Sequence, residues 1–255
     1  MSLPIHRWYR YSAGFSADWV RWLVHERCKD LGTFSVLDPF SGVGTTLLAC
    51  EAEGIQSWGF ETHPFVHRVA TAKLRGIHVD LSQLRSMLEQ FVNRVSSSPL
   101  VELNAIPPLL SKCYIRSCSQ HAAADRLVLD DVLAEAVLDP IRRDLSTACR
   151  TLAEVRETRG GRKNYHTMAA AYFRDLGLVF KSLRSLCRPG GFACFVIGDS
   201  APYGVYLSVD SWLGELALAA GFKSYSFEKI RDRNIKWKNR KHRVPLKEGR
   251  LWIEG

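Results

Sequence analysis

Residues 38 to 46 read Asp-Pro-Phe-Ser-Gly-Val-Gly-Thr-Thr, and they constrain the fold more than any other stretch of this 255-residue chain. A short β-rich run, Thr33 to Leu37, precedes them. Helical character follows from Leu47 to Glu53, and Gly54 ends it. Gly42 and Gly44 let the backbone turn sharply and approach a ligand closely. The helix after them offers free N–H groups and the positive end of its dipole. A second short strand, Ser57 to Phe60, closes on Glu61, 23 residues after Asp38, and His63 to Arg75 is again helical in pattern. Strand, glycine loop, helix and strand together open a parallel α/β sheet. Asp38 then stands at a strand end, where open parallel sheets bind ligands. An acidic side chain at Glu61 can accept hydrogen bonds from both hydroxyls of a ribose.

Two common glycine loops do not fit. The dinucleotide fingerprint needs a third glycine and lacks the Asp-Pro-Phe lead, and the P-loop needs Gly-Lys-Ser/Thr, whereas no Lys follows Gly44. The pattern Asp-Pro-Phe-x-Gly-x-Gly-Thr-Thr matches at every fixed position. In this the chain resembles the S-adenosylmethionine-dependent DNA amino-methyltransferases, which act on cytosine N4 or adenine N6. The resemblance implies a Rossmann-like α/β fold, doubly wound and mostly parallel. It also implies S-adenosylmethionine as cofactor, held by Asp38, Pro39, Phe40, Ser41, Gly42, Gly44, Thr45, Thr46 and Glu61.

The likeness extends to Tyr11-Ser12-Ala13-Gly14-Phe15-Ser16, similar to the segment beside the methionine end of the cofactor, which assigns Tyr11 and Phe15 to the pocket. From the residues alone, Ser16 is an N-cap and Trp19, Val20, Leu23 and Val24 form the apolar stripe of a first helix. Arg188-Pro189-Gly190-Gly191, then a strand ending Ile197-Gly198-Asp199-Ser200, is similar to the fifth-strand region of the family. Asp232-Arg233-Asn234 and the basic residues after it resemble a subgroup. The resemblance covers roughly residues 5 to 80 and 165 to 255.

Methylating an exocyclic amine requires a side-chain oxygen and a backbone carbonyl to draw the amine out of conjugation, and an aromatic to stack on the extruded base. The family supplies these with Ser/Asp/Asn-Pro-Pro-Tyr/Phe/Trp after its fourth strand, and this sequence holds no such motif. Ile106-Pro107-Pro108-Leu109 has the prolines without the polar and aromatic flanks. Val137-Leu138-Asp139-Pro140-Ile141 offers a strand-end Asp without the second proline. Ser200-Ala201-Pro202-Tyr203 comes nearest, making Ser200, Pro202 and Tyr203 the catalytic candidates, although it follows the fifth-strand region. We read residues 81 to 165 as a helical insert or degenerate region within a single methyltransferase-like domain over 1 to 255, lacking the third and fourth strands.

Lys and Arg number 35 against 26 Asp and Glu, a formal charge of +9, which favours a polyanionic partner. Lys229 to Arg243 concentrates cations around one indole. Lys236, Trp237, Lys238, Arg240, Lys241 and Arg243 are the candidate nucleic-acid contacts, cations for phosphate and Trp237 for an unpaired base. Arg156, Arg159, Arg162 and Lys163 form a weaker basic loop. Seven scattered cysteines without a Cys-x-x-Cys pair indicate no metal site and no disulfide framework, and suit a reducing cytoplasm. No apolar run reaches the ~18 residues of a membrane span.

The expectation is a cytoplasmic S-adenosylmethionine-dependent DNA methyltransferase of a restriction–modification or related defence system. The alternatives are a degenerate methyltransferase fold that binds nucleic acid or a partner subunit of such a system, and an RNA methyltransferase on the same fold.

Overall fold

The computed structural model describes residues 16–30, 32–76, 78–97, 126–158, 163–233 and 244–255. They fall into two compact units, within Met1–Pro108 and within Leu109–Gly255. Helices and two small sheets alternate, so the chain is α/β.

The first unit begins with α1 (Ala17–Cys28), whose Ala17, Val20, Val24 and Cys28 are buried at helical spacing. Ser16 takes the N-cap position without a side-chain hydrogen bond. Strand β1 (Val36–Asp38) pairs in parallel with β2 (Ser57–Gly59), with Asp38 opposite Gly59. Between them α2 (Thr45–Ala52) buries Thr45, Leu47, Leu48, Ala49 and Cys50, so it is the core of the unit rather than an amphipathic cover. The sheet meets α2 tightly at Gly59, where a Cβ would come within 2.7 Å of Leu47 Cδ1. Helix α3 (Pro64–Gly76) turns Val66, Ala70 and Lys73 inward. Helix α4 (Leu81–Ser97) leaves Met87, Leu88, Phe91 and Val92 exposed.

Lys73 is 1% exposed, and no hydrogen bond or ion pair to its ammonium occurs among the described residues. Its pKa is pushed below the ordinary 10.5 by burial. The folded state therefore binds this proton less tightly than the unfolded state, and pays for a buried charge at acidic and neutral pH. Stability of the first unit should rise as pH climbs from the folded toward the unfolded lysine pKa. Lys73→Met should raise the melting temperature at pH 7 and abolish that part of the rise. Thermal melts of both proteins from pH 7 to 10.5 check this, and parallel curves would show that Lys73 is not the cause.

The second unit opens with α5 (Leu129–Ala134), a 3-10 turn (Ala136–Leu138) and α6 (Arg142–Thr158). Helix α7 (Tyr165–Leu186) follows, then β3 (Phe192–Gly198), α8 (Val209–Ala219), β4 (Ser224–Asp232) and β5 (Lys247–Glu254). The sheet order is β3-β5-β4, and β5 runs antiparallel to both neighbours. Ala193, Phe195, Ile197, Tyr225 and Phe227 pack on the core of α7 and α8, centred on Phe173, Phe180, Leu213, Leu216, Leu251 and Ile253. Gly214 leaves α8 no Cβ where the Tyr225 ring lies against it.

Two local expectations are corrected. Val137-Leu138-Asp139 is not a strand end. Val137, Leu138 and Ile141 are buried at helical spacing in a 3-10 turn and its exit, and Asp139 pairs with Arg142. The basic loop also starts later than expected, because α6 runs to Thr158 and takes Arg156 with it. The Leu145, Cys149 and Leu152 stripe buries the helix and carries it on. Among the described residues between β2 and β3 every element is helical, and no helix is long and apolar enough to cross a membrane.

Candidate functional site

The first unit assembles a loop of glycine and carboxylate groups at one end of its parallel strands. Because β1 and β2 are neighbours in register, Asp38 and the residues after Gly59 emerge at the same C-terminal edge. The register continues beyond the strands. Phe60 N donates to Asp38 O at 2.9 Å, and Ser41 N and Oγ both donate to Phe60 O, at 2.9 and 3.1 Å. Gly44 N donates to Ser41 O at 2.8 Å and closes the turn. Gly42 (φ 52°) and Gly44 (φ 80°) occupy the left-handed region. At Gly44 a Cβ would also meet Ala70 of α3 at 3.2 Å, so two reasons require glycine there.

Each carboxylate is partly engaged. Asp38 Oδ1 accepts from Phe40 N at 3.0 Å, and Glu61 Oε1 accepts from His63 N at 2.7 Å. These bonds orient both groups and leave a second oxygen on each for a ligand. Gly44 is the N-cap of α2 and offers no side chain, so the first N–H groups of the helix receive no side-chain acceptor from the cap position. Ser41 and Thr45 are buried and support the loop from within, whereas Phe40 is 56% and Phe60 62% exposed. Pro39 and Thr46 are half-buried. The structure thus gathers Asp38, Pro39, Phe40, Ser41, Gly42, Gly44, Thr45, Thr46 and Glu61 about one turn. Tyr11 and Phe15 lie outside the described residues.

The second unit has its own polar cluster at the C-terminal end of β3. Asp199 is 3% exposed. Its Oδ2 accepts from the Tyr206 hydroxyl at 2.9 Å and from Lys247 N at 3.4 Å, and its carbonyl accepts from Arg233 Nη1 at 3.1 Å. Lys247 Nζ reaches Asp210 Oδ2 at 2.6 Å and sits over the Phe227 ring, while Asp210 Oδ1 is buried without a hydrogen-bond partner. Burial pushes the Asp199 carboxyl above its usual range, against the Tyr206 bond that lowers it. Burial and the same bond push the Tyr206 phenol up to about 12.

The loop after Asp199 contains the catalytic candidates. Ser200 is exposed and pairs with Leu207 across the loop, with Leu207 N donating to Ser200 O at 2.9 Å. Pro202 begins a 3-10 turn. Tyr203 has φ 51°, the one positive φ outside glycine among the described residues. Its ring packs on the core and meets Tyr165 edge-on at 5.1 Å. Sequence reasoning assigned no role to Asp199 or Tyr206. The available signal was an apolar strand ending in an acid, with a tyrosine seven residues on.

Ile106-Pro107-Pro108-Leu109, Arg159, Arg162, Lys236, Trp237, Lys238, Arg240, Lys241 and Arg243 lie outside the described residues. Of the flanking cations, Lys229 pairs with Asp232, and Arg231 and Arg233 pair with Glu248.

Asp38 and Glu61 thus stand at the ends of two parallel strands on either side of a glycine turn that leads into α2. Similar segments occur in type II methyltransferases. The chain is 45% identical over 64 residues to the type II methyltransferase M.AvaI of Nostoc sp. (strain PCC 7120) and to that of Anabaena variabilis. It is 43% identical over 63 residues to the type II methyltransferase M.BsoBI of Geobacillus stearothermophilus. Each match takes in 25% of this chain and 12 or 13% of the relative, so the likeness is to a segment of those enzymes. No family model and no solved structure matches the chain.

Proposed function

We propose that the chain is an S-adenosylmethionine-binding protein of the methyltransferase fold that transfers a methyl group to an exocyclic amine of cytosine or adenine in DNA, within a restriction–modification system. The observation that carries this reading is the pair of half-engaged carboxylates, Asp38 and Glu61, at one end of two parallel strands beside the Gly42–Gly44 turn. The residues present fit the cofactor. Glu61 has an oxygen available for ribose hydroxyls, Asp38 and the start of α2 suit the polar amino-acid end, and Phe40 and Phe60 offer exposed rings at the rim. S-adenosylmethionine supplies an electrophilic methyl group on a sulfonium. The contribution of the chain is to orient that group and exclude water from it. The doubly wound Rossmann-like sheet and the single domain belong to the same proposal.

A second reading is favoured by one observation. The sequence holds no Pro-Pro-aromatic motif, and the described elements between β2 and β3 are all helical. On that reading the protein binds cofactor and nucleic acid without turnover. Calorimetric titration with S-adenosylmethionine, followed by incubation with labelled cofactor and unmethylated DNA, separates the two. Saturable binding with methyl transfer supports the enzyme, binding without transfer supports the second reading, and no binding by the folded protein overturns both.

The basic segment carries the DNA part of the proposal. Changing Lys236, Lys238, Arg240 and Lys241 together to Gln should weaken DNA binding and flatten its salt dependence by about 0.9 in log–log slope for each phosphate that is no longer neutralised. An unchanged affinity and slope in filter binding across salt would remove these residues from the interface.

A further inference from the structure

We propose that Tyr206 is the stacking platform for an unpaired nucleobase, and that Asp199 is the residue that positions it. The inference rests on the DNA-binding reading above and names a site within it. Three rings stand around the loop at the end of β3, and they differ in what holds them. Tyr203 packs against the core and meets Tyr165 in a T-shaped contact, so part of its area is already used. Tyr206 is 40% exposed, yet held at both ends. Its backbone is fixed by the neighbouring Ser200–Leu207 pairing, and its hydroxyl donates to the buried Asp199 carboxylate at 2.9 Å. A ring that is exposed and already fixed loses little conformational entropy when a flat ligand stacks on it. An unpaired base fits this surface because every base has a π-face and stacking tolerates any sequence.

A cation stands at the same strand end. The Arg233 guanidinium lies against Gly198, where a Cβ would meet Nη1 at 2.7 Å, and Nη1 donates to Asp199 O. Its side chain is 40% exposed, and its Nε pairs with Glu248 at 3.6 Å, a partner that a phosphate would share. A fixed ring and a guanidinium bonded to the same residue offer the two contacts that single-stranded nucleic acid uses, base on ring and phosphate on cation. Asp199 ties both together, through Oδ2 to the ring and through its carbonyl to the cation.

The test uses the full chain and two DNA duplexes. One carries 2-aminopurine opposite an abasic site, and the other is fully paired. Wild type should bind the first more tightly and quench its fluorescence. Tyr206→Ala should lower affinity for that probe by about 5- to 150-fold, the range for removal of one stacked base, and abolish quenching, with the paired duplex bound as before. Tyr206→Phe keeps the ring and deletes the anchor, and should lose part of the quenching. Asp199→Ala, which removes the acceptor, should match it, and the double variant should lose no more than either alone, which a merely structural Asp199 would not produce. The S-adenosylmethionine affinity of Tyr206→Ala should equal that of wild type, and its melt should stay cooperative and fall no further than that of Tyr206→Phe plus the lost ring contacts, which separates a missing platform from a misfolded loop. Equal binding of both probes by wild type, or wild-type quenching by Tyr206→Ala, overturns the platform alone. A wild-type protein that takes up S-adenosylmethionine but binds neither duplex overturns the DNA reading and the platform with it.

Discussion

Glu61→Ala should weaken S-adenosylmethionine binding by about 10- to 150-fold, and Asp38→Ala should do so comparably, each corresponding to the removal of one charge-assisted hydrogen bond of about 1.5–3 kcal/mol. The two carboxylates are oriented before any ligand arrives. His63 N holds Glu61 Oε1 at 2.7 Å and Phe40 N holds Asp38 Oδ1 at 3.0 Å. Truncation therefore removes the carboxylate oxygen proposed to meet the cofactor and also frees the backbone turn that follows each strand. Glu61→Gln separates these effects. Its amide oxygen can still accept from His63 N, but its NH2 can only donate where a carboxylate oxygen would accept. It should lose less than Glu61→Ala. Isothermal titration of the three variants reads this directly, and wild-type affinity in Glu61→Ala would remove the residue from the site.

The largest effect on stability should come from Phe173→Ala, a loss of about 3–5 kcal/mol. Phe173 is fully buried on α7, with its ring edge-on to Trp212 of α8 at 5.1 Å and to Tyr172 at 5.2 Å. It joins α7 to α8 within a core whose other members, Leu213, Leu216 and Leu251 among them, are themselves buried, so truncation leaves a cavity. In a unit of this size, each kcal/mol moves the melting temperature by roughly 2–4 °C, so a fall of about 6–20 °C is expected. Phe173→Leu should recover most of it, since it restores much of the volume. A melt of Phe173→Ala within a degree or two of wild type would contradict the packing described for this core.

Local signals carried much of the architecture. Gly42 and Gly44 need left-handed backbone, and together with Asp38 and the apolar Leu47–Cys50 run they mark a strand–turn–helix without reference to the rest of the chain. Arg188-Pro189-Gly190-Gly191 likewise ends α7 and starts β3, since proline and a glycine at φ 78° stop a helix wherever they fall. Where the residues allowed two readings, packing chose between them. Val137-Leu138-Asp139 has strand composition, yet its apolar side chains are buried from a 3-10 turn. Arg156 belongs to a basic run, yet the buried stripe of α6 carries the helix past it.

The candidate sites divide in the same way. The sequence alone determined that a glycine turn bearing Asp38 would meet a second strand ending near Glu61, because both features depend on neighbours in the chain and on the period of short strands. The tertiary structure decided which oxygen of each carboxylate is already engaged, and that Lys73 is buried with no partner among the described residues. It also decided that Tyr203 packs on the core while Tyr206 is exposed and anchored on Asp199. Burial and hydrogen-bond partners are set by residues far apart in the chain: Asp199 and Lys247 stand 48 residues apart in sequence. No local pattern of residue types encodes such a meeting. It exists only once β5 has paired with β3 and brought the two together.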